Sequence, residues 1–153
     1  MEFNWYNERN IIHNLNRDKF QNTDINTFEE HYTLHDSDII DIKSLGNRDL
    51  ILVILFDPVW NDELGEYQTE YVQRWPILFL FFTQVKKFEI DFELESDMPF
   101  GISTMETKSR NNNELVETII DSHYGDVIKI IHSGELKVLL YDENENIIKL
   151  SKL

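Results

Sequence analysis

The stretch from Lys87 to Glu95 alternates apolar and charged residues without interruption. A period of two residues predicts a β-strand with one face in the core and the other in solvent. A shift of one residue would place carboxylates in the core, so the register of this strand is strongly specified. Burial of its apolar face contributes roughly 6–12 kcal/mol before the entropy of ordering is subtracted. The residues of that face are Phe88, Ile90, Phe92 and Leu94.

The opposite face of the same strand predicts an acidic surface formed by Glu89, Asp91, Glu93 and Glu95. Carboxylates in one row repel each other unless cations or a basic partner lie nearby. The whole chain has the same bias, because 29 Asp and Glu against 14 Lys and Arg give a formal net charge of −15. This charge disfavours binding to nucleic acid or to an anionic membrane and favours a basic protein partner. Solubility alone is the alternative explanation.

The length of 153 residues predicts a single domain spanning residues 1–153. The absence of Cys excludes disulfides and thiolate metal sites, and it fits a reducing compartment. Residues 1–10 lack the basic and apolar regions of a secretory signal. The longest apolar run, residues 76–82, is far shorter than the roughly 20 residues of a membrane helix. We therefore expect a soluble, cytoplasmic protein.

Short apolar runs between turn signals predict a mainly β fold, with α+β as the alternative. We expect about seven to ten strands in antiparallel sheets or a sandwich-like meander, with a short N-terminal helix at about residues 4–16. Gly46-Asn47 predicts a hairpin turn before a central strand at residues 50–56. Residues 114–121 fit a strand or a short helix. Other strands are expected at residues 77–82 and 100–108, and a three-stranded meander is expected over residues 127–150.

Residues 57–75 fit two patterns, a helical stripe and an alternating strand. We favour the strand because β-branched and aromatic residues dominate. Trp60 falls in a predicted loop with acidic neighbours, a combination typical of an interface anchor surrounded by steering charges. The alternative, that aromatic residues here complete the core, fits Tyr71 and Trp75 better. The acidic neighbours predicted to bind the partner are Asp62, Glu63 and Glu66.

A second candidate site lies between His31 and Asp38, where two imidazoles and two carboxylates occur within eight residues. Such ligands suit zinc or acid–base chemistry, centred on His35, Asp36 and Asp38. On a strand His31 and His35 would lie about 13 Å apart, too far for one ion, whereas on a helix they would be neighbours. The favoured alternative is a polar turn at residues 36–38 with His35 hydrogen-bonded beneath it.

Two further histidines, His123 and His132, lie far along the chain, and the fold alone decides whether either joins this site. Ser103 and Ser122 are conceivable nucleophiles beside His123. No nucleophile-elbow motif accompanies them, so the sequence does not predict a catalytic triad.

The segment Leu34-His35-Asp36-Ser37-Asp38-Ile39, followed by an apolar strand, resembles small bacterial domains of the toxin-immunity type. Those domains open with a hydrophobic-His-Asp-x-x-Ile pattern and a hairpin. The similarity continues through the strand at residues 78–82, Val85 and the strand at residues 88–90, and it covers residues 31–141 in total.

The resemblance implies an immunity protein that binds and blocks a basic toxin of a polymorphic or contact-dependent inhibition system. It implies no catalytic residues and no cofactor, and no metal site is predicted. An acidic surface would occupy the toxin surface that otherwise binds phosphate. Two alternatives remain: a metal- or acid–base-dependent hydrolase centred on His35, Asp36 and Asp38, and an interaction or scaffold domain without a toxin partner.

Overall fold

The computed structural model describes residues 17–46, 48–91, 100–110 and 114–153, which form a largely antiparallel β structure. One short helix near the N-terminus is capped by the Asp24 side chain, which accepts a hydrogen bond from the backbone N of Thr27 at 2.8 Å. The mainly β prediction is confirmed, whereas the helix predicted at residues 4–16 lies outside the described residues. In chain order the elements are β1 (Gln21–Asp24), α1 (Ile25–His31), β2 (Asp38–Ser44), β3 (Leu50–Leu55), β4 (Ile77–Phe82), β5 (Lys87–Asp91), β6 (Phe100–Ser109), β7 (Val116–Ser122), β8 (Val127–His132), β9 (Glu135–Tyr141) and β10 (Ile147–Ile148).

The ten strands form one sheet in the order β1-β9-β4-β3-β2-β6-β7-β8-β5, with β10 also paired to β9. The sheet has two halves, one from β1 to β2 and one from β6 to β5 in this order. They are joined by a short pairing of β2 with β6, at Asp38 with Gly101 and at Ile39 with Phe100. One core cluster contains buried side chains from both halves, so the halves pack face to face. Its members include Leu52, Leu80, Ile102, Ile120 and Ile128.

The central strands β3 and β4 are covered on both faces, as their continuous apolar sequences predict. All six residues of β3 are buried. Leu52 and Ile54 belong to the shared core, whereas Ile51 and Val53 belong to a second cluster on the opposite face. Phe20 packs edge-to-face against Phe81 in that second cluster, with ring centroids 5.9 Å apart. The predicted hairpin between β2 and β3 is confirmed, with Gly46 in the left-handed region at φ 72°.

The predicted meander over residues 127–150 is correct in its strands and wrong in one pairing. β9 and β10 pair, but β8 lies between β7 and β5, and β9 lies between β1 and β4. Likewise β4 and β5 are not neighbours, because residues 83–86 cross to the other half of the sheet. There the backbone N of Lys86 donates to the carbonyl of Ile131 at 2.7 Å. A strand that is apolar on both faces, such as β4, is favoured at the centre of the sheet, whereas the half-exposed β5 fits its edge.

The strand predicted at residues 57–75 is wrong. The segment forms three short 3₁₀ turns at Pro58–Trp60, Asp62–Tyr67 and Val72–Arg74. Asp57 begins the first turn, because its side chain accepts from the backbone N of Val59 and Pro58 needs no hydrogen-bond partner for its nitrogen. Residues 114–121, for which strand and helix were both open, contain most of strand β7. No helix in the described parts of the chain is long and apolar enough to cross a membrane.

Candidate functional site

Two imidazoles and one carboxylate meet at the end of the sheet where β2 begins. His35 and Asp36 lie in a tight turn, closed by a 2.9 Å bond from the backbone N of Ser37 to the carbonyl of Leu34. Asp36 occupies the left-handed region at φ 64°, which is uncommon for a residue with a side chain. His123 follows β7, and its backbone N donates to the carbonyl of Gly101 at 2.9 Å. The predicted polar turn is confirmed, and the fold brings His123 to it.

The carboxylate of Asp36 is the centre of this site. Its Oδ1 accepts from Nε2 of His123 at 2.8 Å, and its Oδ2 accepts from the indole N–H of Trp60 at 3.1 Å. Nε2 of His35 lies 3.5 Å from the same Oδ2. One ligand atom from each of His35, Asp36 and His123 lies within 4.8 Å of the others. We call His35, Asp36, Trp60 and His123 the Asp36 cluster.

The ring of His35 is held in one orientation. Its Nδ1 lies 2.9 Å from the carbonyl oxygen of Ser103. A carbonyl oxygen only accepts hydrogen bonds, so Nδ1 carries a proton and donates it to Ser103. The ring also packs edge-to-face on Trp60, with centroids 4.8 Å apart. These contacts leave Nε2 facing the Asp36 carboxylate.

Further carboxylates surround the Asp36 cluster. Burial raises the pKa of Asp38; the nearby His123 acts to lower it, and the charges of Asp36 and Asp57 act to raise it. Burial also raises the pKa of Asp57, against the hydrogen bond that it accepts from Val59. A Cβ added at Gly101 would lie 3.4 Å from Oδ1 of Asp38 and 3.5 Å from Cδ2 of His123. The glycine therefore lets these two side chains approach the same place.

Trp60, a predicted partner-binding residue, is exposed to solvent. Its side chain is 50% exposed although its indole N–H is bonded to Asp36. Asp62 and Glu66 are exposed on the same segment. Glu63 instead accepts hydrogen bonds from the hydroxyl of Tyr32 at 2.8 Å and from the backbone N of Ser151 at 2.9 Å. These bonds give Glu63 a structural role, because they attach the turn to the C-terminal residues.

The segment from residue 57 to residue 75 is anchored at two further points. The amide of Asn61 accepts from the backbone N of Thr33 and donates to its carbonyl, both at 2.9 Å. Arg74 makes two bonds to the carboxylate of Glu143, at 2.7 and 2.8 Å. The large apolar side chains that this anchored segment exposes are Val59, Trp60, Tyr71 and Val72.

The predicted acidic strand face is only partly described, since Glu93 and Glu95 lie outside the described residues. Within β5 the alternation is confirmed, because Phe88 and Ile90 are half-buried whereas Glu89 and Asp91 are exposed. The amine of Lys87 lies 2.7 Å from the carboxylate of Glu89, and Lys129 is the cross-strand partner of Glu89. Mixed charge, not a uniform acidic row, therefore characterises the described part of this face.

His132 does not join the Asp36 cluster but lies fully buried in the core. Its Nδ1 accepts from the backbone N of Gly134 at 3.1 Å, so Nε2 carries the proton and donates to the hydroxyl of Thr118 at 2.7 Å. Thr118 then donates to Thr107 at 2.8 Å, and Thr107 donates to the carboxylate of Glu29 at 2.6 Å. This hydrogen-bonded chain links β8, β7, β6 and α1, and residues so distant in sequence gave no signal of it.

The serines considered as nucleophiles have other roles. The hydroxyl of Ser122 accepts from the backbone N of Tyr124 at 3.1 Å and of Asp126 at 2.9 Å, as in a Ser turn. Ser103 contributes its carbonyl to His35. His123 is bonded to Asp36 and not to a serine hydroxyl, so no catalytic triad is formed by these residues.

Comparisons with known proteins give no match to this chain, whether by family model, by curated sequence or by solved structure. The description of this protein therefore depends on its own fold and surface. It is an antiparallel β domain with an anchored segment that presents a tryptophan beside a cluster of imidazole and carboxylate groups.

Proposed function

We propose that this chain is a toxin-neutralising protein of the immunity type, which acts in the cytoplasm by stoichiometric binding to a basic bacterial toxin. The observation that carries the proposal is the half-exposed Trp60 on an anchored segment of a protein with net charge −15. In this proposal the chain inhibits by binding alone and needs neither a cofactor nor a catalytic residue.

The anchoring of Trp60 supports a role in binding. Binding energy is reduced by the entropy lost when side chains and loops become ordered, so a segment that is already ordered binds at lower cost. The bonds of Asn61 and Arg74 supply that order, and the bond to Asp36 fixes the indole. Tryptophans that are well packed yet accessible are among the residues that contribute most to interfaces.

The charge around Trp60 supports a basic partner. Asp62, Glu66 and Glu70 are exposed on the same segment. Complementary charge accelerates the encounter of two proteins and excludes partners of the same sign. A toxin that attacks nucleic acid has a basic surface for phosphate, and an inhibitor covering that surface would block its activity.

Trp60→Ala should weaken binding to the product of the adjacent upstream gene at least about 30-fold, equivalent to roughly 2 kcal/mol. The physical reason is the loss of a large ordered aromatic surface. Isothermal titration calorimetry measures the affinity, and Leu45→Ala removes an exposed apolar side chain at the other end of the β2–β3 hairpin as a control. Absence of a complex with that product, or equal effects of the two variants, would contradict the proposal.

Two charge reversals locate the surface that steers association. The double variant Asp62→Lys/Glu66→Lys should lower the association rate constant about tenfold at low salt, because attraction to the basic partner is lost. Glu89→Lys/Asp91→Lys changes the net charge by the same amount on strand β5 and should have a smaller effect. Stopped-flow measurements at several salt concentrations give both rates. If the β5 variant lowers the association rate constant more than the other variant does, the interface lies on that strand.

A further inference from the structure

The Asp36 cluster has the composition of a transition-metal site. Imidazole nitrogen and carboxylate oxygen are the ligands that zinc and its neighbours in the first transition series prefer, whereas calcium and magnesium require oxygen. Two of the three candidate ligands, His35 and Asp36, come from one turn, and His123 comes from the connection between β7 and β8. Ligands from two separate segments constrain an ion better than adjacent residues alone.

The distances are close to those of a coordinated ion. Zinc bonds of about 2.0–2.2 Å in a tetrahedral arrangement place neighbouring ligand atoms roughly 3.3–3.6 Å apart. Nε2 of His35 already lies 3.5 Å from Oδ2 of Asp36, and no pair of the three ligand atoms exceeds 4.8 Å. A small rotation of His123, the exposed member of the three, can close this gap.

A backbone contact orients His35 toward this position. Nδ1 of His35 lies 2.9 Å from the carbonyl oxygen of Ser103, which leaves Nε2 facing Asp36, 3.5 Å from its Oδ2. The bond from His35 to a backbone carbonyl is also the outer contact that metal-ligating histidines typically make, since it fixes the ring and its tautomer.

The surroundings also favour positive charge. Asp38 and Asp57 lie close enough to the cluster to interact electrostatically with Asp36. Three carboxylates thus surround two imidazoles, and the indole N–H of Trp60 orients the carboxylate of Asp36 from outside. An ion would replace the proton that His123 now donates to Asp36.

We propose that His35, Asp36 and His123 bind one divalent transition-metal ion, with zinc as the best fit, and leave at least one coordination position open to solvent. Three protein ligands and an open position are the arrangement in which zinc accepts water or a side chain from another molecule. The inference is independent of the proposed function, because it concerns only the protein and the ion.

The test is isothermal titration calorimetry, in which zinc chloride is added to the protein after treatment with a chelator. One ion should bind per chain, and His123→Ala and Asp36→Asn should each weaken binding by at least 100-fold, beyond the roughly 10–100-fold typical of outer-shell changes. His31→Ala is the matched control, because His31 is exposed at the end of α1, outside the cluster, and it should bind zinc as the unmodified chain does.

A second measurement covers variants that fold poorly. In the unmodified protein Co²⁺ should quench the fluorescence of Trp60, whose ring lies 4.8 Å from that of His35, and Trp60→Phe should remove the quenched component. Bound Co²⁺ should also broaden the imidazole NMR signals of His35 and His123 but not that of His132. Absence of one-to-one zinc binding, an equal loss in His31→Ala, or broadening confined to other histidines would overturn the proposal.

Discussion

Phe82→Ala should lower the free energy of unfolding by about 3–5 kcal/mol, the usual cost of removing a fully buried aromatic ring. Phe82 has no exposed surface and lies in the core shared by both halves of the sheet. Its ring also packs edge-to-face on His132, with centroids 4.9 Å apart, a contact that contributes beyond its buried area. Urea denaturation followed by circular dichroism measures the change.

Phe88→Ala provides the comparison for Phe82→Ala. Phe88 is half-buried on the edge strand β5, so its removal leaves a smaller cavity and costs less. Both substitutions remove the same atoms, and the difference between them isolates the effect of position in the fold. Equal losses would contradict the difference in burial between these two rings.

Acidification from pH 7 to pH 4 should remove about 3 kcal/mol of stability through His132 alone. Burial lowers the pKa of His132 from its usual 6.5 to about 4. Between these values the unfolded chain binds a proton that the folded chain does not, so stability falls as the pH falls. Above pH 6.5 the imidazole is neutral in both the folded and the unfolded chain, so it causes no loss of stability. The loss grows as the pH falls below 6.5 and reaches about 3 kcal/mol near pH 4, which is the free energy that corresponds to the pKa shift.

Urea denaturation at pH 7.0 and pH 4.5 measures this effect, and His132→Gln should remove it. The substitution costs stability at pH 7, because Thr118 and Gly134 lose their bonds to the imidazole, but the remaining pH dependence should be weaker. His31→Gln, at an exposed histidine, should leave the pH dependence unchanged. An unchanged pH dependence in His132→Gln would show that burial does not hold this imidazole neutral.

Several features of the fold follow from neighbouring residues and were predicted from them. The alternation of apolar and charged residues from Phe88 to Asp91 determines which face of β5 is exposed to solvent. Gly46 adopts the positive φ that the turn of the β2–β3 hairpin requires. The continuous apolar sequence of residues 50–56 predicts a strand with no exposed face. These features depend on side-chain period and backbone conformation, which are local properties.

The candidate site illustrates what local pattern does not contain. The turn holding His35 and Asp36 was predicted, but its neighbours Trp60 and His123 come from segments 24 and 87 residues beyond Asp36. Residues 57–75 fitted a strand by pattern, yet Asp57 and Pro58 begin a helical turn there. Capping and turn chemistry outweighed β-propensity, which depends strongly on context.

By itself, then, the sequence determined the mainly β class, most strand positions, the hairpin and the acidic character of the chain. The tertiary structure alone decided that β8 pairs with β5 and not with β9, that Lys87 and Lys129 lie beside Glu89, and that His123 reaches Asp36. The physical reason is that strand pairing depends on which apolar faces meet across long connections. Periodicity within one strand records that a face is buried but not which partner buries it.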